Sequence, residues 1–128
     1  MTITQAAQLS GLSAHTIRYY DKEGLLPYVG RTAAGVRVFT ERDLDWLSLI
    51  TCLKNTGMPI RGIREYINWY QAGDDTLQQR LDMFLAQQQH IREQMAQLES
   101  YMEKINHKVE VYTRAVAEGT LVRQSNAG

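Results

Sequence analysis

Gly11-Leu12-Ser13-Ala14-His15-Thr16-Ile17-Arg18-Tyr19-Tyr20-Asp21-Lys22-Glu23-Gly24 is the stretch whose reading decides the fold. Ser13 is suited to cap a helix, because its hydroxyl accepts from an amide in the first turn. Gly24 ends that helix after about Glu23, since glycine takes positive φ without steric cost. Upstream, Thr4 stands where a cap opens a shorter helix through Ser10, which Gly11 stops. Only Gly11-Leu12-Ser13 separates the two helices. Two short helices joined by a glycine-containing turn of this length form a helix-turn-helix. Small Ala7 in the first and branched Ile17 in the second suit a close crossing.

Downstream of Pro27 the helical period disappears. Arg31-Thr32-Ala33-Ala34-Gly35-Val36-Arg37-Val38-Phe39 has the form of a small hairpin, with Ala34-Gly35 at its tip. Alternation puts Val36 and Val38 on one face, Arg37 and Phe39 on the other. A β-ribbon after a helix-turn-helix is a wing, and Arg37 and Arg31 on it are placed to reach phosphate. Thr40-Glu41-Arg42-Asp43 then approximates a capping box that opens a helix to about Asn55. Gly57-Met58-Pro59 breaks the chain, and Ile60, Ile63, Tyr66, Ile67 and Tyr70 follow helical spacing to Gly73. Gly62, inside that helix, suggests a close helix contact.

The last long element is the most regular. Leu77, Leu81, Phe84, Gln88, Ile91, Met95, Leu98, Met102, Ile105, Val109 and Tyr112 recur in alternating steps of four and three. All but Gln88 are apolar. At ~1.5 Å per residue this stripe is about 54 Å long, more than the residues before it can cover, so it calls for another helix. Self-association is the economical answer, with Gln88 favouring one register. The expected organisation is a mainly α chain: a winged helix-turn-helix head over residues 1–73, a coiled-coil dimerisation helix over 74–113 and a frayed tail over 114–128.

Among its 128 residues, Lys+Arg and Asp+Glu are both 14, which excludes a polycation that binds nucleic acid through bulk charge. Distribution says more: residues 1–64 hold eight basic and five acidic side chains, whereas 65–128 hold six and nine. One cysteine excludes an intramolecular disulfide and a Cys-pair zinc site. The chain lacks a run of ~18 apolar residues and a signal-peptide pattern, so the expectation is a cytoplasmic protein without membrane contact. There is no catalytic constellation and no glycine-rich phosphate loop, and an enzyme is not expected.

A helix in a major groove needs short polar side chains near its N-terminus for base edges, and a guanidinium for guanine or phosphate. Ser13, His15, Thr16 and Arg18 fit that need, and the Tyr19 and Tyr20 hydroxyls are candidate phosphate donors. Taken alone, such a helix reads first as an ordinary amphipathic segment with a solvated arginine. The wing, the basic head and the self-associating tail favour binding to double-stranded DNA, with Arg61 a further basic candidate on the following helix.

Thr16-Ile17-Arg18-Tyr19-Tyr20, Glu23-Gly24-Leu25-Leu26-Pro27, Gly35-Val36-Arg37-Val38-Phe39 and Glu41-Arg42-Asp43-Leu44 together resemble the MerR family of transcriptional regulators. The resemblance covers about residues 2–70. Val36 stands where the family usually has an aromatic residue, and Phe39 replaces a common tyrosine. The resemblance implies a homodimer joined by an antiparallel coiled coil, with two winged heads on a palindromic promoter. It further implies that the activated dimer bends and untwists an over-long spacer between promoter elements, acting on RNA polymerase through DNA geometry.

Cys52, in Leu49-Ile50-Thr51-Cys52-Leu53-Lys54, lies at the edge of an apolar face, where a small buried hydrophobe and an accessible thiol are both plausible. Arg61 and Arg64 on the next helix are the cations expected to favour its thiolate. A cysteine on this helix, with a late segment such as Lys104-Ile105-Asn106-His107-Lys108, resembles the AdhR/NmlR subgroup, which implies a response to aldehydes or other thiol-reactive electrophiles. The rivals are a reversibly bound small molecule beside Trp69, Tyr70 or Tyr101, and a coiled-coil adaptor that does not bind DNA. Metal sensing is disfavoured, because His15, His90 and His107 are far apart and the tail after Tyr112 has neither Cys nor His. No cofactor is expected.

Overall fold

The computed structural model describes residues 1–119 and divides into two units, one over residues 1–85 and one from residue 86 onward. The elements, in chain order, are α1 (Ile3–Ser10), α2 (Ala14–Lys22), β1 (Gly30–Arg31), β2 (Arg37–Val38), α3 (Glu41–Asn55), α4 (Ile60–Ala72), a 3-10 turn (Asp74–Thr76) and α5 (Leu77–Glu118). The fold is mainly helical with one small antiparallel hairpin.

In the first unit, α1 begins two residues earlier than Thr4 suggests. The Thr2 hydroxyl accepts from the Gln5 amide, and Gln5 Oε1 accepts from the Thr2 amide at 2.8 Å. Thr2 is favoured because a glutamine stands three residues after it, which closes a reciprocal capping box. Gly11, at φ 74°, ends α1 and donates its N–H to the Ala7 carbonyl. Ser13 caps α2 as expected, accepting from the Thr16 amide at 3.0 Å. Thr40 and Asp43 form the capping box of α3, with Asp43 Oδ2 accepting from the Thr40 amide at 2.8 Å.

The core brings every head helix together. Ala6 of α1, Ile17 and Tyr20 of α2, Leu47 and Ile50 of α3, and Ile63 and Ile67 of α4 are all buried in one cluster. Phe39 joins them directly after the hairpin. The strands are shorter than the expected Arg31–Phe39 hairpin, pairing Gly30 with Val38 and Arg31 with Arg37 only. The reason lies in Phe39. Its amide donates to the Met1 carbonyl at 2.8 Å, and its carbonyl accepts from Met1 N at 2.7 Å, so the chain leaves β1 to pair with the N-terminal residue. Gly35, at φ 82°, closes the turn by donating its N–H to the Thr32 carbonyl.

An aromatic group forms the far side of this unit. Trp46 meets Tyr70 edge-on at 5.0 Å between ring centroids, and Tyr66 meets Phe84 of α5 edge-on at 5.1 Å. The Arg42 guanidinium lies 3.6 Å from the Tyr28 ring centroid. At the end of α4, Thr76 Oγ1 donates to the Trp69 and Gly73 carbonyls, while Arg80 donates to Thr76 Oγ1 and to Gly73 O at 2.6 Å. Carbonyls that a helix C-terminus leaves unpaired are thereby satisfied. The head thus extends past residue 73 into α5, because Phe84 and Arg80 pack with α4. The Gly62 position faces the Met58 side chain rather than another helix; a Cβ there would stand 3.1 Å from Met58 Cγ.

From residue 86 onward the second unit is α5 itself, which stays helical to Glu118, past the expected fraying at Ala117. No residue of α5 is buried. Met95, Leu98, Met102, Ile105, Val109 and Tyr112 are each more than half exposed. The remainder of the expected tail, residues 120–128, lies outside the described residues.

Burial pushes the Tyr66 phenol above its ordinary value, the Arg80 charge opposing and Tyr70 adding to the rise. An unfolded tyrosine ionises near pH ~10, whereas Tyr66 in the fold keeps its proton to higher pH. Its contribution to stability is therefore complete below about pH 10 and lost as pH rises through the folded-state value. Denaturant unfolding across the alkaline range should show a shallower loss of stability for Tyr66→Phe than for the wild type.

Candidate nucleic-acid interface

The α2 helix has nine residues, too few to be stable in isolation. It forms because Ser13 caps it and because Ile17 and Tyr20, three apart on one face, are buried in the head. That burial fixes what the opposite face presents. His15, Arg18, Tyr19 and Lys22 are exposed, and Thr16 is half-buried. With Asp21, Arg31 and Arg37, the first four line an open concavity of about 490 Å³ between α2 and the wing. Helix N-terminus, four cations and a groove between helix and ribbon suit the backbone and base edges of a duplex.

Some expected contacts need correction. Tyr20 is 2% exposed and belongs to the core, so its hydroxyl is not a phosphate donor; the ring also sits 5.5 Å from Lys54 Nζ. The Ser13 hydroxyl accepts from the Thr16 amide and donates to Thr16 Oγ1 at 2.9 Å, which makes it a capping group first. Arg31 and Arg37 do line the concavity, but both guanidiniums are paired with Asp21. Arg61 is exposed in the first turn of α4 and does not line it. Lys22 and Asp21 line the concavity as well, beyond the residues that the sequence motif singles out. Lys22 was legible, lying four residues after Arg18 on the same helical face.

Cys52 is a free, exposed thiol on α3. Arg64, expected to attend it, is committed elsewhere: Nε donates to the Glu23 carbonyl at 3.0 Å and Nη2 pairs with the Glu23 carboxylate at 2.5 Å. That clamp holds the C-terminal end of α2 against α4. The aromatic groove suggested by the sequence is lined by Arg42, Asp45, Trp46, Leu49, Tyr66 and Tyr70 and measures about 260 Å³. Tyr70 is in it; Trp69 is not, and Tyr101 belongs to the second unit. Among the described residues, no three His, Cys, Asp or Glu side chains are arranged to hold a metal ion. No helix of the described residues is long and apolar enough to cross a membrane.

A capped, half-buried recognition helix beside a two-stranded wing defines a winged helix-turn-helix DNA-binding protein. The chain belongs to the MerR family: the MerR HTH family regulatory protein pattern matches residues 1–68, and the MerR, DNA binding pattern matches residues 44–108. It is 45% identical to a transcriptional regulator of helix-turn-helix type from Haemophilus influenzae over 94% of this chain and 89% of that one. It is 37% identical to the transcriptional regulator AdhR of Bacillus subtilis over 73% of this chain and 66% of AdhR. In structure it matches HiNmlR, a MerR family regulator lacking the sensor domain, crystallised bound to promoter DNA. The TM-score is 0.86 at 45% identity, over 94% of this chain and 95% of HiNmlR. The likeness is thus to the AdhR/NmlR branch, and these relatives are transcriptional regulators, not enzymes.

Two substitutions separate the two faces of α2. Arg18→Ala should weaken specific DNA binding by more than ~1 kcal/mol, because it removes a group suited to guanine or phosphate. Tyr20→Phe should leave affinity unchanged. Fluorescence anisotropy on a bound duplex reads both; equal losses would contradict the orientation of α2.

Proposed function

We propose that the chain acts as a homodimer on a palindromic promoter, with α2 of each protomer in a major groove and the wings beside the flanking backbone. The observation that carries this reading is the concavity between α2 and the wing, lined by His15, Arg18, Tyr19 and Lys22, in a fold that HiNmlR uses on promoter DNA. Arg61 lies on the same basic head as a further phosphate contact. The exposed apolar stripe on α5, with Leu98 66% and Met95 64% exposed, supports pairing with the same helix of a second copy. Antiparallel pairing suits a two-fold axis, and a two-fold dimer requires a palindromic site. Bending a spacer costs of order 1–6 kcal/mol, supplied by the two half-site contacts. Deformation of this kind reaches RNA polymerase through the promoter alone.

Selection of duplexes from a random library should return an inverted repeat, bound with an affinity that falls steeply as salt rises. End-to-end energy transfer across that duplex should show it bent on binding. Leu98→Lys, which puts a charge in the α5 stripe, should give a monomer by light scattering and lose the preference for a repeat. A chain that stays dimeric through α5 but binds no duplex would be an adaptor for protein partners.

The effector in this reading is an aldehyde or other thiol-reactive electrophile, taken up by the Cys52 thiol. Support comes from the exposure of that thiol and the likeness to AdhR. The groove at Trp46, Tyr66 and Tyr70 favours a second reading, a small molecule bound reversibly there. Intact mass and promoter transcription, measured together after aldehyde treatment, distinguish the two. An adduct that switches transcription in the wild type and not in Cys52→Ser supports the thiol; induction retained in Cys52→Ser overturns it.

A further inference from the structure

The wing holds two arginines directly opposite one another, Arg31 on β1 and Arg37 on β2. Like charges in that position repel, and the wing's other ties, the Thr32–Val36 hydrogen bonds and the pairing of Phe39 with Met1, do not neutralise them. Asp21, on the recognition helix, supplies the missing anion. Arg37 Nε lies 2.5 Å from Asp21 Oδ2, and Arg31 Nη2 lies 3.3 Å from the same oxygen. Arg31 also donates from Nη1 to the Gly35 carbonyl at 3.0 Å, so one guanidinium ties the wing turn to α2. The Asp21 side chain is 16% exposed and that of Arg37 26%, partly withdrawn from water, where an ion pair is screened less than on an open surface. Among the described residues, Asp21 is the single carboxylate lining a concavity otherwise made of cations, His15 and Tyr19.

Resting on the DNA-binding reading above, we infer that Asp21 is a specificity-determining positioning residue. It fixes the wing against α2 and keeps Arg31 and Arg37 from serving as mobile cations for any phosphate within reach. A duplex of arbitrary sequence gains from flexible arginines, because phosphates are everywhere alike. A matched site gains instead from a wing already set at the right distance from the recognition helix. An anion at this point therefore lowers adventitious binding while preserving the arrangement that the specific complex needs.

The test compares a selected inverted-repeat duplex with a scrambled duplex of equal length, over a range of salt. For Asp21→Asn, affinity for the scrambled duplex should rise and its salt dependence steepen by about 0.9 in log–log slope per freed arginine. Affinity for the selected duplex should not rise, so the ratio of the two should fall about tenfold. Asp21→Glu, which keeps the anion, should restore a ratio near that of the wild type. Asp21→Asn with unchanged ratio and slope, or with both affinities lowered in parallel, overturns the inference, the latter being what loss of fold alone produces. Arg31→Gln gives a second reading should Asp21→Asn not fold. Arg37 stays paired with Asp21 in that variant, so affinity for the scrambled duplex should not rise; a rise equal to that expected of Asp21→Asn would overturn the tether. A wild-type chain that does not prefer the selected duplex would remove the DNA-binding reading itself.

Discussion

Burial of Ile17 and Tyr20 beneath α2 is the constraint from which the rest of the head follows. A nine-residue helix has no stability of its own, so its orientation is set wholly by the face it buries and by the Ser13 cap. With Ile17 and Tyr20 turned inward, Arg18, Tyr19 and Lys22 have only one direction left to point. The clamp from Arg64 to Glu23 and the pairing of Asp21 with the wing arginines hold the same helix at its end and along its side. A recognition element fixed at three places is one whose base contacts carry little ordering cost on binding.

The two units answer different physical demands. The head closes a core around Phe39, Leu47, Ile50 and Ile67 and leaves its polar helix face open. From residue 86 the chain does the opposite, remaining helical while leaving a long apolar stripe in water. A helix of that kind is stable only with a partner for the stripe. In the proposed dimer, geometry between two DNA-reading heads would be a property of the helix that joins them.

Much of this was legible in the sequence, and the misses have definite causes. Helix boundaries follow from local chemistry, so the Ser13 and Thr40 caps and the Gly11 stop stood where expected. Thr2 and not Thr4 caps α1, because only Thr2 has a glutamine at the reciprocal spacing. Tyr19 and Tyr20 offer the same hydroxyl in sequence, but only Tyr19 faces outward. Adjacent residues lie about 100° apart on a helix, and the three-residue step from Ile17 already placed Tyr20 on the inner face. The pairing of Asp21 with arginines ten and sixteen residues away was not legible, since it exists only once the wing folds back on α2. The Glu23–Arg64 clamp, across 41 residues, was hidden for the same reason.

Direct contact between the exposed face of α2 and base edges is the claim on which the account stands. Replacing His15 with a photo-crosslinking amino acid, and separately Ser48 on the exposed side of α3, tests it on a bound duplex. Crosslinks are expected from position 15 to bases inside each half-site and none from position 48. Crosslinks from position 48 with none from position 15 would contradict it, placing the duplex on a different face of the head.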